Sequence, residues 1–209
     1  PAYAGLFKFV DHNNYVDGAN DDLTGCYISS AVMKYLSDND IRFENTEVVA
    51  ILTGGEECGL RGSKAYFEAH PELKNDGVET IFIGLDTVRD EDFMMIYEKD
   101  MTGMVKNDRR VAELIQKAAK EVGFDVPIGT IALGSTDAAA MSQAKIPASS
   151  IVAMDPTPAS SLALFAIPRA TPACGRSVMP RYLTMLASHF VQRALIPAPK
   201  YLPRERDAI

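Results

Sequence analysis

The chain has 209 residues and a mass of 22.8 kDa, enough for one large domain with a substantial core. Its 28 acidic residues outweigh 21 basic ones, giving a net charge of −7 and a pI near 5.0; this excludes the basic footprint of a nucleic-acid binder. No apolar run approaches the ~18 residues of a membrane span, so neither nucleic acid nor membrane is an expected partner.

Taken in chain order, residues Pro1 to Val10 are apolar and aromatic, and the alternation of Phe7 and Phe9 around Lys8 predicts a short strand. The polar loop DHNNYVDGANDD follows. Leu23, Tyr27, Ala31, Val32, Tyr35 and Leu36 then recur at helical spacing, with Asp21 or Asp22 placed to cap the helix. Glu47 to Thr53 is β-branched and apolar and predicts a buried strand; Gly62 to Ala69 predicts a short helix stopped at His70-Pro71, with His70 at its C-terminal dipole. Val78 to Asp86 predicts a second buried strand ending on a carboxylate, and Phe93 to Tyr97 a third, nearer an edge. Asp108 to Val122 carries an apolar face of Val111, Leu114, Ile115, Ala118, Ala119 and Val122, the pattern of an amphipathic helix closed by Gly123. Ile128 to Leu133 leads into GSTDAAAMSQAKIP, a loop entering a short helix, and Ser149 to Met154 predicts a last core strand.

Beyond Asp155 the composition changes. Pro156, Pro158, Pro168, Pro172 and Pro180 crowd the segment, and a helix is expected only over Arg181 to Leu195. Strands alternating with helices indicate an α/β fold, a mainly parallel central sheet with helices on both faces. Cys26, Cys58 and Cys174 lack CxxC spacing, which is neither a disulfide framework nor a zinc knuckle and leans towards a reducing, cytoplasmic compartment. Pro1 leaves room for a targeting segment ahead of it, so localisation stays open, as does oligomeric state.

The stretch VVAILTGGEECGLRGS, Val48 to Ser63, places Glu56 and Glu57 just after an apolar run. Side chains adjacent on a strand point opposite ways, so one glutamate can bind a metal while the other faces a substrate water. Asp21 and Asp86 close two other loop or strand ends. In a parallel sheet such ends share one edge, and four carboxylates there repel unless cations neutralise them. A pair of divalent metals ~3.5–4 Å apart, bridged by a carboxylate, is the economical arrangement.

The runs GANDDLTG (Gly18 to Gly25), EECGLRGS (Glu56 to Ser63), LD (Leu85, Asp86) and GSTDAAAMSQAKIPA (Gly134 to Ala148) resemble the M28 family of zinc-dependent exopeptidases, over roughly residues 9 to 155. The M42 and M20 families share parts of these motifs, and the helix-bearing gap from Asp21 to Glu56 favours M28. The resemblance implies a zinc-exopeptidase-like three-layer sandwich: one catalytic domain over 1–209 that lacks the family's N-terminal strands and has an atypical segment at 156–209. It implies an aminopeptidase that hydrolyses the N-terminal bond of a peptide substrate through a water held between two divalent metal ions, zinc above all. Carried over residue by residue, Asp21 bridges the metals, Glu56 is the general base, and Glu57 and Asp86 are ligands. Ser135, Thr136 and Asp137 match a stretch on the substrate side, although Ser135 or Thr136 equally fits a helix N-cap.

The histidines depart from the pattern. His12 is the expected first histidine ligand, but Asn14 stands where an orienting aspartate belongs; the other alignment puts Phe9-Val10-Asp11 on that element and loses the histidine. No histidine lies between Leu162 and Arg176, where the second is expected, and His189 falls inside the expected last helix. Asp155 as a substitute ligand, one partly filled site, or a non-catalytic binding domain on the same fold are the readings this leaves.

Overall fold

The computed structural model describes residues 18–74, 77–88, 91–131 and 134–153. An irregular helical turn, Ala19–Leu23, in which Asp21 and Asp22 leave helical geometry, runs into α1 (Thr24–Asp38). It is followed by α2 (Arg61–Ala69), β1 (Phe82–Asp86), β2 (Met94–Asp100), β3 (Val105–Lys106), α3 (Arg109–Glu121), β4 (Ile128–Thr130), α4 (Asp137–Gln143) and β5 (Ala148–Ala153). Helix ends follow the chemistry of their caps. Asp108 accepts the N–H groups of Arg110 and Val111 at 2.8 and 3.3 Å to open α3, and Gly123, at φ 91°, takes the left-handed turn that closes it. His70 caps the C-terminus of α2, stacks on Tyr66 at 4.4 Å and pairs with Glu72.

The strands form one five-stranded sheet in the order β1-β5-β2-β3, with β4 also on β2. β1 runs parallel to β5, Phe82 opposite Ala148 through Asp86 opposite Val152, and β2 is parallel to β4. β2 is antiparallel to β5 and to β3. The expected α/β sheet is therefore present, with its parallel ladders joined through antiparallel ones. β2 lies inside the sheet rather than near an edge, because Met94, Ile96 and Tyr97 are all buried.

Alternation along the strands separates two cores. Ile83, Leu85, Met94, Ile96 and Ile151 pack with Ile28 of α1 and with Val111, Ala112, Ile115 and Ala119 of α3. On the opposite face Phe82 and Ala148 pack with Ala138 and Met141 of α4, and Tyr66 and Phe67 of α2 close over them. Each large aliphatic chain so buried contributes ~1.5–3 kcal/mol. Helices thus cover both faces; β1 and β5 end at one rim of the sheet, and β2 and β4, running the other way, end at the opposite one. Among the described residues no helix is long and apolar enough to cross a membrane.

One expected strand is missing. Glu47–Thr53 joins no ladder, and Val49 and Leu52 are each 57% exposed. Apolar β-branched residues supply strand propensity, but a strand also needs a neighbouring edge; β1 pairs only with β5 among the described residues. The strand at Phe7 to Val10, His12, Asp155, Cys174, His189 and the helix at Arg181 to Leu195 lie outside the described residues.

Candidate functional site

A turn, not a strand end, carries the acid pair. The N–H groups of Gly59 and Leu60 donate to the Glu56 carbonyl at 2.9 and 2.8 Å, and that of Arg61 donates to the Gly55 carbonyl at 3.1 Å. The chain therefore curls directly from Glu56 and Glu57 into α2. Leu60, 3% exposed, is buried with Ala139 and Ala140 of α4. Gly62 permits the close approach: a Cβ there would stand 2.4 Å from the Gly54 carbonyl oxygen. Just ahead of the turn, Thr53 Oγ1 donates to Asp137 Oδ2 at 2.5 Å.

Asp21 sits in the irregular turn before α1, near enough to Glu57 to raise that carboxyl. Asp22 accepts the N–H groups of Gly25 and Thr87 at 3.0 and 3.2 Å. Since Thr87 follows Asp86, this draws the Asp21 loop to the end of β1.

The electrostatics report how closely these groups face one another. Burial, followed by the charges of Asp21, Asp22, Glu56 and Glu57, pushes Asp86 up to about 8. Glu56 is pushed up to about 7 by burial and then by Glu57, Asp137, Asp21 and Asp100. Glu57 is raised by burial and by Asp21. Burial also lifts Asp22 to about 6, against the opposing pull of the Gly25 and Thr87 N–H groups. The four expected carboxylates Asp21, Glu56, Glu57 and Asp86 are thus brought together.

None of the ion pairs among the described residues reaches them. Hard oxygen donors that hold protons only through burial and mutual repulsion suit a divalent cation. As they stand, though, no three His, Cys, Asp or Glu among the described residues are arranged to hold a metal ion. The donor chemistry fits a metal; the ligand set is open.

At the start of α4, Thr136 is the N-cap: its hydroxyl accepts the Ala138 N–H at 3.3 Å and donates to Asp100 Oδ2 at 2.6 Å. Thr136 is buried, Ser135 Oγ donates to Asp100 at 3.2 Å, and Asp137 lies near enough to raise Glu56. Asp137 Oδ1 is buried without a hydrogen-bond partner. Sequence reasoning missed Asp22, Asp100 and Thr53 as parts of this site. Asp100 ends β2, which runs against β1 and β5, so the rule that parallel strand ends share a rim does not point to it. Nothing local marks Thr53 either, for its partner is 84 residues away.

The family model for peptidase family M28 matches residues 9–171. Among solved structures, an aminopeptidase from Aneurinibacillus sp. strain AM-1 is 27% identical with a TM-score of 0.54, over 70% of this chain and 34% of that one. BSAP, a zinc aminopeptidase from Bacillus subtilis, is 25% identical with a TM-score of 0.53, over 68% of this chain and 33% of that one. The LapA aminopeptidase of Legionella pneumophila, 19% identical with a TM-score of 0.53 over 87% of this chain and 47% of that one, shares the fold. The chain spans about a third of the length of the first two. No curated protein matches it.

Proposed function

The chain belongs to peptidase family M28, and from that premise we propose that it is a metal-dependent exopeptidase, an aminopeptidase that removes the N-terminal residue of a peptide and uses two zinc ions. The observation that carries this reading is the convergence of Asp86, Glu56 and Glu57 with Asp21, each of the first three held above its ordinary pKa by burial and by its neighbours. Similarity to aminopeptidases at 25% and 27% identity supports it.

In this reading Asp21, Glu57 and Asp86, with His12, would hold the metals. Zinc bound there supplies Lewis-acid polarisation of the peptide carbonyl and makes water a better nucleophile near neutral pH. Glu56, half-buried and outside the ligand set, accepts the proton of the attacking water and returns it to the leaving amine. Ser135, Thr136 and Asp137 border the substrate side.

The test is metal content together with hydrolysis of an aminoacyl p-nitroanilide by the wild type and by Glu56→Gln. The wild type is expected to retain zinc and turn over, and Glu56→Gln to keep the zinc while losing ~10²–10⁴ in rate. A wild type that binds no zinc and hydrolyses nothing replaces the enzyme with a non-catalytic binding domain on the same fold. Full activity in Glu56→Gln removes the base assignment alone.

A further inference from the structure

Glu56 and Glu57 ride on a turn that no ladder anchors, which raises the question of what holds them against the sheet. Residues 47–53 pair with no strand, and the backbone hydrogen bonds of the turn close on the turn itself. Ahead of the acid pair, a side-chain hydrogen bond joins this segment to the body of the molecule: Thr53 Oγ1 donates to Asp137 Oδ2.

Its acceptor is rigidly placed. Asp137 is the first residue of α4, directly after the Thr136 cap. Thr136 is fixed through both its N–H and its hydroxyl on Asp100, at 2.9 and 2.6 Å, and Asp100 is fully buried at the end of β2. A continuous path therefore runs from β2 through Asp100, Thr136 and Asp137 to Thr53, three residues before Glu56. Leu60 anchors the far end of the same turn by burial with Ala139 and Ala140 of α4. Burial of a leucine is non-directional; the Thr53 bond is directional and lies on the Glu56 side.

We infer that Thr53 is a positioning residue of the site: its hydroxyl, held on Asp137, fixes the turn that presents Glu56 and Glu57. This rests on the aminopeptidase reading for its consequence in catalysis, but not for its consequence in structure. Thr53 touches no reacting atom and acts through Asp137.

Two variants separate the hydroxyl from the shape of the side chain. Thr53→Val keeps the volume and loses the donor; Thr53→Ser keeps the donor and loses a methyl. A packing role predicts that serine is the worse replacement, and the positioning role predicts valine. With an aminoacyl p-nitroanilide, Thr53→Val is expected to lower kcat by about ten- to a hundredfold, the scale of a lost hydrogen bond to a charged group. Its KM should stay within about twofold, and Thr53→Ser should restore kcat. Hydrogen exchange followed by mass spectrometry should show faster exchange over residues 54–60 in Thr53→Val, with β2 and β5 unchanged and Thr53→Ser like the wild type. Wild-type exchange in Thr53→Val, or equal loss in both variants, overturns the inference. If the wild type does not turn over, the proposed function falls and the exchange comparison decides this inference by itself.

Discussion

Asp22 and Thr87 are joined across 65 residues of sequence: the Asp22 carboxylate accepts the Thr87 N–H at 3.2 Å while the same oxygen accepts that of Gly25 at 3.0 Å. The separation of Asp21 from Asp86 is therefore set by a side chain that is not itself an expected ligand. Two backbone donors at the mouth of the site depend on it, one at the start of α1 and one just past the end of β1.

Replacing Asp22 by alanine leaves both N–H groups without that acceptor. The expected cost is about 1–3 kcal/mol in folding stability, with zinc affinity weakened ~10–100-fold, as for other groups that orient a ligand from behind. Asp22→Asn keeps an acceptor oxygen and should fall between. Zinc titration calorimetry and urea unfolding measure the two effects, and an unchanged zinc affinity in Asp22→Ala would show that the loop is held by other means.

The same convergence gives the metal-free protein an unusual pH dependence. Asp86 at about 8, Glu56 at about 7 and the raised Glu57 all bind protons more tightly when folded than when unfolded, where carboxyl values lie near 4. Their contribution to stability is thus fully present below the unfolded pKa and lost as pH rises through 7 to 8, opposite in sign to an ion-paired carboxylate. In chelator these groups should make the protein less stable at about pH 8 than at about pH 5, and saturating zinc should remove most of that slope. Urea midpoints at the two pH values, with and without zinc, measure it. A slope identical in both conditions would mean that zinc does not relieve these carboxylates.

The contrast between Asp86 and Glu56 explains what could be read from the sequence. Strand ends are local: the apolar run before Asp86 predicts both β1 and the rim where it opens, and Asp108, Gly123 and the face of Val111, Ile115 and Ala119 likewise declare α3. Residues Val48 to Thr53 are as apolar as β1, yet they join no ladder, because pairing depends on an edge elsewhere in the chain. The acids could be expected together from the sequence, since like charges at one edge repel unless a cation joins them. The groups that place them could not: Asp22 acts on Thr87, Asp100 on Thr136 and Thr53 on Asp137, contacts that exist only after the sheet has formed.

Asp100 offers the sharpest test of that second layer. Its buried carboxylate accepts the N–H groups of Met101 and Thr136 and the hydroxyls of Thr136 and Ser135. Asp100→Ala orphans these donors inside the protein and should destabilise it by about 1–3 kcal/mol or more, since each unsatisfied buried donor carries a penalty of that order. Asp100→Asn, with one acceptor oxygen left, should lose less. A chemical denaturation curve for Asp100→Ala that overlays the wild type would mean that water or a rearranged turn satisfies them.

The glycines of the site make opposite demands, and substitution by alanine separates them. At Gly25 a Cβ would stand 2.4 Å from both the Leu85 carbonyl oxygen and Asp22 Oδ2, so α1 and β1 could not keep their present spacing. Backbone cannot yield as a side-chain tip can, and overpacking of this kind costs about 1–3 kcal/mol. Because the displaced groups include Asp22 and the strand leading to Asp86, Gly25→Ala should also weaken zinc binding. At Gly54, in the turn before the acid pair, a Cβ meets nothing within 4 Å and the backbone is not left-handed. Gly54→Ala should therefore be neutral or stabilising by up to ~1 kcal/mol, through the reduced freedom of the unfolded chain. Thermal unfolding of the two variants side by side decides the matter: equal losses would place the constraint in backbone freedom, whereas loss at Gly25 alone places it in the contact between α1 and the end of β1.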